Sequence, residues 1–394
     1  MSTRARPGAG PDGVVRIAMM QTLSRGARGE AVRDIQARLA ALGYRIDPRE
    51  HGEFGATTEQ GVREFQQRRR LMVDGKVGDD TWNELVEAGY SLGDRVLYLR
   101  YPYYRGDDVR ALQAGLNLLG FDAGREDGIL GERTERAVLE FQRNVGLPPD
   151  GIVGMTTVDA LRRLRPVAPG PGRADVREAE ALRRLSATLE GSRIAIDPGH
   201  GPGDTGDVGP AGTLEAEATF WLATALLDEL RARGAAPFLL RTATANPSPA
   251  ERARSANEAG AEILIAVHLN AHDDPAAEGA STFYYGRENW FSQTGQRLAE
   301  AIQQALTDRL GLKDLRTHPK SLPILRETQM PAVHVEPCFI TNAREEAMIR
   351  DPAFQREVAK AVTDAVESFF AGNAPRQDQP ASSTASERGR PDGE

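Results

Sequence analysis

One cysteine, few aromatics and no long apolar run mark this sequence first by what it lacks. A single thiol, Cys338, excludes an internal disulfide framework and any zinc site built from cysteines. It reads as a small buried hydrophobe, although it follows Glu336 by two residues. The apolar runs are strand-length, so none reads as a membrane span. Basic residues are in deficit: 49 Lys and Arg stand against 57 Asp and Glu, for a formal net charge of −8. That balance argues against a nucleic-acid binder held by a broad basic surface, but not against a neutral or zwitterionic polymer. Near the N-terminus, Arg16 interrupts the apolar stretch 14–20, and no run of signal-peptide length follows.

What is present suits a soluble protein of several domains: 394 residues, 40% apolar and 27% charged. The first 165 residues contain an internal repeat. Gly29, Val32, Gln36, Leu39, Leu42 and Gly43 recur as Gly106, Val109, Gln113, Leu116, Leu119 and Gly120. Phe65, Gln66, Asp74, Gly75 and Gly78 recur as Phe141, Gln142, Asp150, Gly151 and Gly154, with the offset one residue shorter. Apolar spacing in each unit predicts three short helices. Asp-Gly marks a turn, and a Thr or Asp is expected to cap the third helix. Most matching positions read as core and turn. Arg68, Arg69 and Arg70 read as a solvated face. On this Gly/Val, Gln/Leu, Phe-Gln and Asp-Gly pattern, each unit resembles the peptidoglycan-binding module of cell-wall enzymes.

After a Pro/Gly-rich stretch, strand and helix patterns alternate. Strands are expected near 193–197, 237–241, 262–268, 281–285, 323–326 and 332–337, and helices near 215–233, 249–259, 292–310 and 344–370. The whole reads as two small three-helix modules followed by a three-layer α/β domain with a mainly parallel sheet. The expected divisions are a flexible N-terminus (1–23), modules at 24–90 and 98–165, a linker (166–191) with a short helix near 181–190, the α/β domain (192–372) and a disordered tail (373–394).

Within the α/β domain, β-branched runs end in polar residues: His200 after Ile194–Pro198, His268 after Leu264–Val267, and Glu336 after Val333–Val335. Ligands in open α/β sheets bind beyond the carboxyl ends of strands, so these groups can converge. Two histidines and a carboxylate form a common catalytic zinc set.

Three stretches, Asp197–Gly201, Val267–Ala271 and Met330–Asn342, occur in the order found in zinc-dependent N-acetylmuramoyl-L-alanine amidases, which the domain resembles from Arg193 to Phe370. The resemblance implies one Zn²⁺ per catalytic domain, held by His200, Glu215 and His268, with Glu336 as general base. Glu215 and Glu217 both lie in the first turn of the helix that Thr213 is expected to cap. They point about 200° apart, and the resemblance selects Glu215. His272 is a competing ligand that the family pattern does not use. Asn270 and His334 are the weaker candidates for substrate or supporting contacts. His334 lies on the same strand face as Glu336, where the family usually carries an apolar residue. Arg326 is the alternative partner that would make Glu336 a structural carboxylate.

The resemblance further implies hydrolysis of the amide between N-acetylmuramic acid and the L-alanine of the stem peptide. Peptidoglycan or muropeptides would be the partner, and the modules would concentrate polymer around a tethered catalyst. Two alternatives are a zinc peptidase of the stem peptide and a non-catalytic intracellular regulator of wall synthesis on the same fold. The cell wall is the expected location by function. The lack of a visible export signal makes the cytoplasm the alternative.

Overall fold

The computed structural model describes residues 22–164, 178, 182, 185–287 and 290–373. Most of the expected flexible N-terminus, linker and tail therefore lies outside the described residues.

Each repeat forms three helices: α1 (Glu30–Ala41), α2 (Ala56–Arg69) and α3 (Asp79–Glu87), then α4 (Asp107–Leu118), α5 (Glu132–Asn144) and α6 (Met155–Arg163). Their apolar faces bury Ile35, Leu39, Val62, Phe65 and Leu85 in the first unit. Leu112, Leu116, Val138 and Phe141 play the same part in the second.

The repeated glutamines have a structural cause. Gln66 donates to Asp74 Oδ1 at 2.7 Å and to the Lys76 carbonyl at 2.9 Å, and accepts from Gly75 N–H at 2.9 Å. Gln142 repeats this with Asp150, Ile152 and Gly151. Gln36 and Gln113 clamp earlier turns through the N–H of Gly52 and Gly128. Each amide satisfies a buried turn, and Gly75 and Gly151 adopt positive φ there. Gly78 and Gly154, rather than Thr or Asp, occupy the caps of α3 and α6, with no side-chain cap bond.

The arginine run is not one solvated face. Arg69 is half-buried and meets Asp107 of the second unit at 2.5 Å. Neighbouring side chains leave the helix in different directions, so the three do not share one exposed face.

The α/β domain holds β1 (Arg193–Pro198), α7 (Glu215–Ala232), β2 (Ala236–Leu239), α8 (Pro249–Glu258), β3 (Ile263–Val267), β4 (Ala280–Arg287), β5 (Trp290–Phe291), α9 (Gln293–Leu310), β6 (Asp314–Lys320), α10 (Pro323–Glu327), β7 (Ala332–Glu336), α11 (Ala343–Ile349) and α12 (Pro352–Gly372). The strand order is β2-β1-β3-β7-β4-β5, with β6 on β4. The first four are parallel, and β4 runs antiparallel to β7. Alternate strand residues feed two cores. Ile194, Ile196, Ile265 and Val335 pack with α7, α9 and α12. Ala195, Leu264, Ala266 and Ala332 pack with α8 and α10.

Two expectations are corrected, and one strand is not anticipated by the sequence. Residues 323–326 form a helix, because Pro323 suits the first helical turn and a short apolar run does not distinguish the two states. The strand lies at Asp314–Lys320, a largely polar segment containing Pro319 that pairs only with β4, as edge strands tolerate. The helix expected over 344–370 is broken by Asp351, which caps α12, and by Pro352.

Candidate metal and catalytic site

The parallel register brings the strand ends together. Pro198 lies opposite Val267, and Val267 opposite Val335. His200, His268 and Glu336 therefore emerge on one edge, beyond or at the carboxyl ends of β1, β3 and β7.

Glu215 joins the two histidines. Its Oε2 lies 3.1 Å from His200 Nε2 and its Oε1 lies 3.2 Å from His268 Nδ1. The ligand atoms of His200, Glu215 and His268 lie within 4.8 Å of one another. Glu215 also accepts from the N–H of Leu269 at 3.0 Å and of Asp207 at 3.1 Å, which fixes both oxygens. It opens α7, where negative charge is favoured. The helix is capped by Leu214, with no side-chain cap bond. Thr213 instead gives its N–H to Glu346 at 3.0 Å, so the chain entering α7 is held from α11 rather than by a capping hydroxyl. Glu217 is exposed and lies outside the cluster.

The loop carrying His200 is held in a conformation uncommon for a side-chain-bearing residue, with φ +57°. Arg252 donates to Asp197 at 2.8 Å and to the carbonyls of Pro198 and His200 at 2.6 Å each. Arg241 donates to the Pro198 and Gly199 carbonyls at 2.9 and 3.0 Å. Neither arginine, nor Asp204, stands out in the sequence. Asp204 lies 3.0 Å from His200 Nδ1, the carboxylate partner that orients many metal-binding imidazoles. Its legible signal is an acidic residue four positions after His200 in a glycine-rich loop.

The site polarises its titratable groups. Burial alone would lower His200, but hydrogen bonds to Asp204 and Glu215 outweigh it and raise the imidazole to about 10. His268 moves down, through burial and then the adjacent His334. Burial raises a carboxyl, yet the two histidines hold Glu215 well below the usual carboxylate range. Glu336 goes the other way, pushed up to about 7 by burial.

Glu336 is flanked by His334 Nε2 at 3.0 Å and Ser281 Oγ at 3.3 Å. Arg326 is not its partner; that guanidinium pairs with Glu84 and Glu327. Asn270 turns its Oδ1 to the N–H of Ala271 at 2.8 Å, and its backbone bridges to Cys338 and Ile340, so it shapes the His268 loop. His272 is exposed and accepts from Asp274 N–H, outside the metal-capable group. Cys338 is buried in the core.

The family profile described as N-acetylmuramoyl-L-alanine amidase matches residues 194–368. The peptidoglycan binding domain profile matches 28–85 and 105–161. The N-acetylmuramoyl-L-alanine amidase CwlM of Mycobacterium tuberculosis is 38% identical over 88% of this chain and 88% of its own. LytC, an N-acetylmuramoyl-L-alanine amidase of Bacillus subtilis, is 32% identical over 48% of this chain and 38% of its own. Among solved structures, an N-acetylmuramoyl-L-alanine amidase from Clostridium difficile 630 is 27% identical, with a TM-score of 0.44, covering 46% of this chain and 97% of that one. With the likeness to CwlM running through both modules and the catalytic domain, this chain belongs to the N-acetylmuramoyl-L-alanine amidase family.

Proposed function

We propose that this protein hydrolyses the amide between N-acetylmuramic acid and the L-alanine of the stem peptide, using one zinc ion. The observation that carries the reading is Glu215 placed between two imidazoles, an His-Glu-His donor set of the kind that holds catalytic zinc. His200, Glu215 and His268 would hold the ion. When bound, zinc supplies Lewis acidity, polarising the scissile carbonyl and acidifying water.

The remaining steps fall to side chains of the chain. Glu336, ionised, takes a proton from water as the water oxygen bonds to the carbonyl carbon. Burial places its pKa near the working pH, where a base both accepts and returns protons. As the carbon–nitrogen bond breaks, Glu336 delivers that proton to the alanine nitrogen. Asp204 orients His200, and Leu269 and Asp207 fix Glu215 through their N–H groups. The two N-terminal units would bind peptidoglycan and keep the substrate near the site.

Incubation with muropeptides, followed by mass spectrometry, tests the reading. Free stem peptides and peptide-free disaccharides, lost with chelator and restored by zinc, are the expected products. Cleavage within the stem peptide would show a peptidase instead. A folded, zinc-loaded protein that releases nothing would sink both enzymatic readings and leave the regulator.

A further inference from the structure

We infer that His334 is a positioning residue that fixes the carboxylate of Glu336 for proton transfer, an inference that rests on Glu336 being the general base. The two side chains lie at i and i+2 of β7 and so project from one face. His334 Nε2 sits 3.0 Å from Glu336 Oε1, and Ser281 Oγ lies 3.3 Å from Oε2. Each carboxylate oxygen thus has its own partner, which limits rotation of the group about its terminal bond.

The imidazole itself is locked. It stacks on His268 with centroids 4.3 Å apart and planes at 17°. Phe283 meets it edge-on at 5.5 Å. The ring is buried, at 6% exposure. Its Nδ1 has no hydrogen-bond partner among the described residues. A buried nitrogen without a partner is destabilising, and an apolar side chain of similar size would fill the space without that cost. Packing therefore does not account for an imidazole here; the Nε2 contact to Glu336 does. With Glu336 ionised, Nε2 carries the proton and donates. His334 is not among the metal-capable residues, so its reach is to the base rather than to the ion.

The test compares the full-length protein with H334Q and H334L, each assayed for zinc content, kcat and KM on muropeptides. Glutamine can place an N–H where Nε2 lies; leucine fills the volume without a donor. H334L is expected to keep its zinc and its KM while kcat falls roughly 10- to 100-fold, as for other groups that orient reacting residues. H334Q should recover most of that loss. Wild-type kcat in H334L, equal impairment in both variants, or zinc loss in H334L would each overturn the inference. Should the wild-type protein cleave nothing, the amidase reading fails, and proton NMR of ¹⁵N-histidine-labelled protein still tests the contact. The His334 Nε2–H signal, assigned by its loss in H334Q, is expected to shift in E336L; an unmoved signal overturns the contact.

Discussion

Arg326, in the short helix before β7, forms an ion pair with Glu84 of the first peptidoglycan-binding unit, and both side chains are buried, at 5% and 6% exposure. Around it, Arg105 meets Glu327 at 2.6 Å, Arg287 pairs with Glu126, and Arg125 donates to the Thr328 carbonyl. Lys320 Nζ reaches the Leu71 carbonyl at 2.7 Å. The binding units are therefore docked on the catalytic domain, where the Pro/Gly-rich stretch between them suggests only a tether.

Removing one partner of a buried pair costs about 3–5 kcal/mol where the other charge is left alone. Here Glu84 keeps Arg69 at 3.8 Å and Arg326 keeps Glu327 at 3.4 Å, so the cost is smaller. R326A and E84A should each still lower the denaturant midpoint of the chain. The double variant R326M/E84L, which removes both charges and keeps volume, should recover most of the loss. Single variants that unfold at the wild-type midpoint would show that the pair contributes nothing to docking.

Metal loading should be coupled to pH through one histidine. In the metal-free protein His200 is raised to about 10, so it is protonated at pH 7, and that proton must leave before zinc binds. His268 is lowered and Glu215 lies well below the usual carboxylate range, so both already present the required form. From about pH 10 down to about pH 7, apparent zinc affinity should fall about tenfold for each unit the pH drops, with about one proton released per ion. Calorimetry in buffers of different ionisation enthalpy measures that proton directly. No release at pH 7 would mean that His200 is neutral before binding.

Glu215 and Glu336 should separate cleanly in function, although both are buried glutamates near the same crevice. E215A removes the group between the two histidines and is expected to lose zinc and activity together. E336Q keeps the shape of the base and should retain zinc while kcat falls roughly 10²- to 10⁴-fold, the usual contribution of a general base. Metal analysis beside kinetics decides this; a zinc-free E336Q would move Glu336 into the ligand set.

The sequence made the strand ends legible because buried β-branched runs stop sharply at His200, His268 and Glu336. It also showed the repeat, whose glutamines mark turns that must be satisfied from within. Other features depend on three-dimensional neighbours. Strand β6 carries no apolar alternation because neither of its faces is fully buried. Asp204, Ser281 and Arg252 come from a loop, a neighbouring strand and helix α8, and their spacing in the chain carries no period. Arg69 reads as one of three like charges until Asp107 of the other unit is placed beside it.

Gly199 tests how closely the metal site is built. Its φ is not in the left-handed region, so alanine is tolerated by the backbone there. Space is the obstacle. A Cβ on residue 199 would lie 2.4 Å from His268 Cε1 and 2.6 Å from both ring nitrogens, far inside contact distance. The Gly199 carbonyl is meanwhile held by Thr219 at 2.8 Å and by Arg241 at 3.0 Å, and its N–H by the Val267 carbonyl at 2.9 Å, so the loop cannot step back easily. His268 must then rotate away from Glu215. The expected result for G199A is a folded protein whose zinc affinity falls roughly 10- to 100-fold, the range seen when ligand orientation is disturbed. Circular dichroism with competitive zinc titration checks both halves. Unchanged affinity in a folded variant would show that the His268 ring is free to move, and that the close approach of the two loops is not what sets the site.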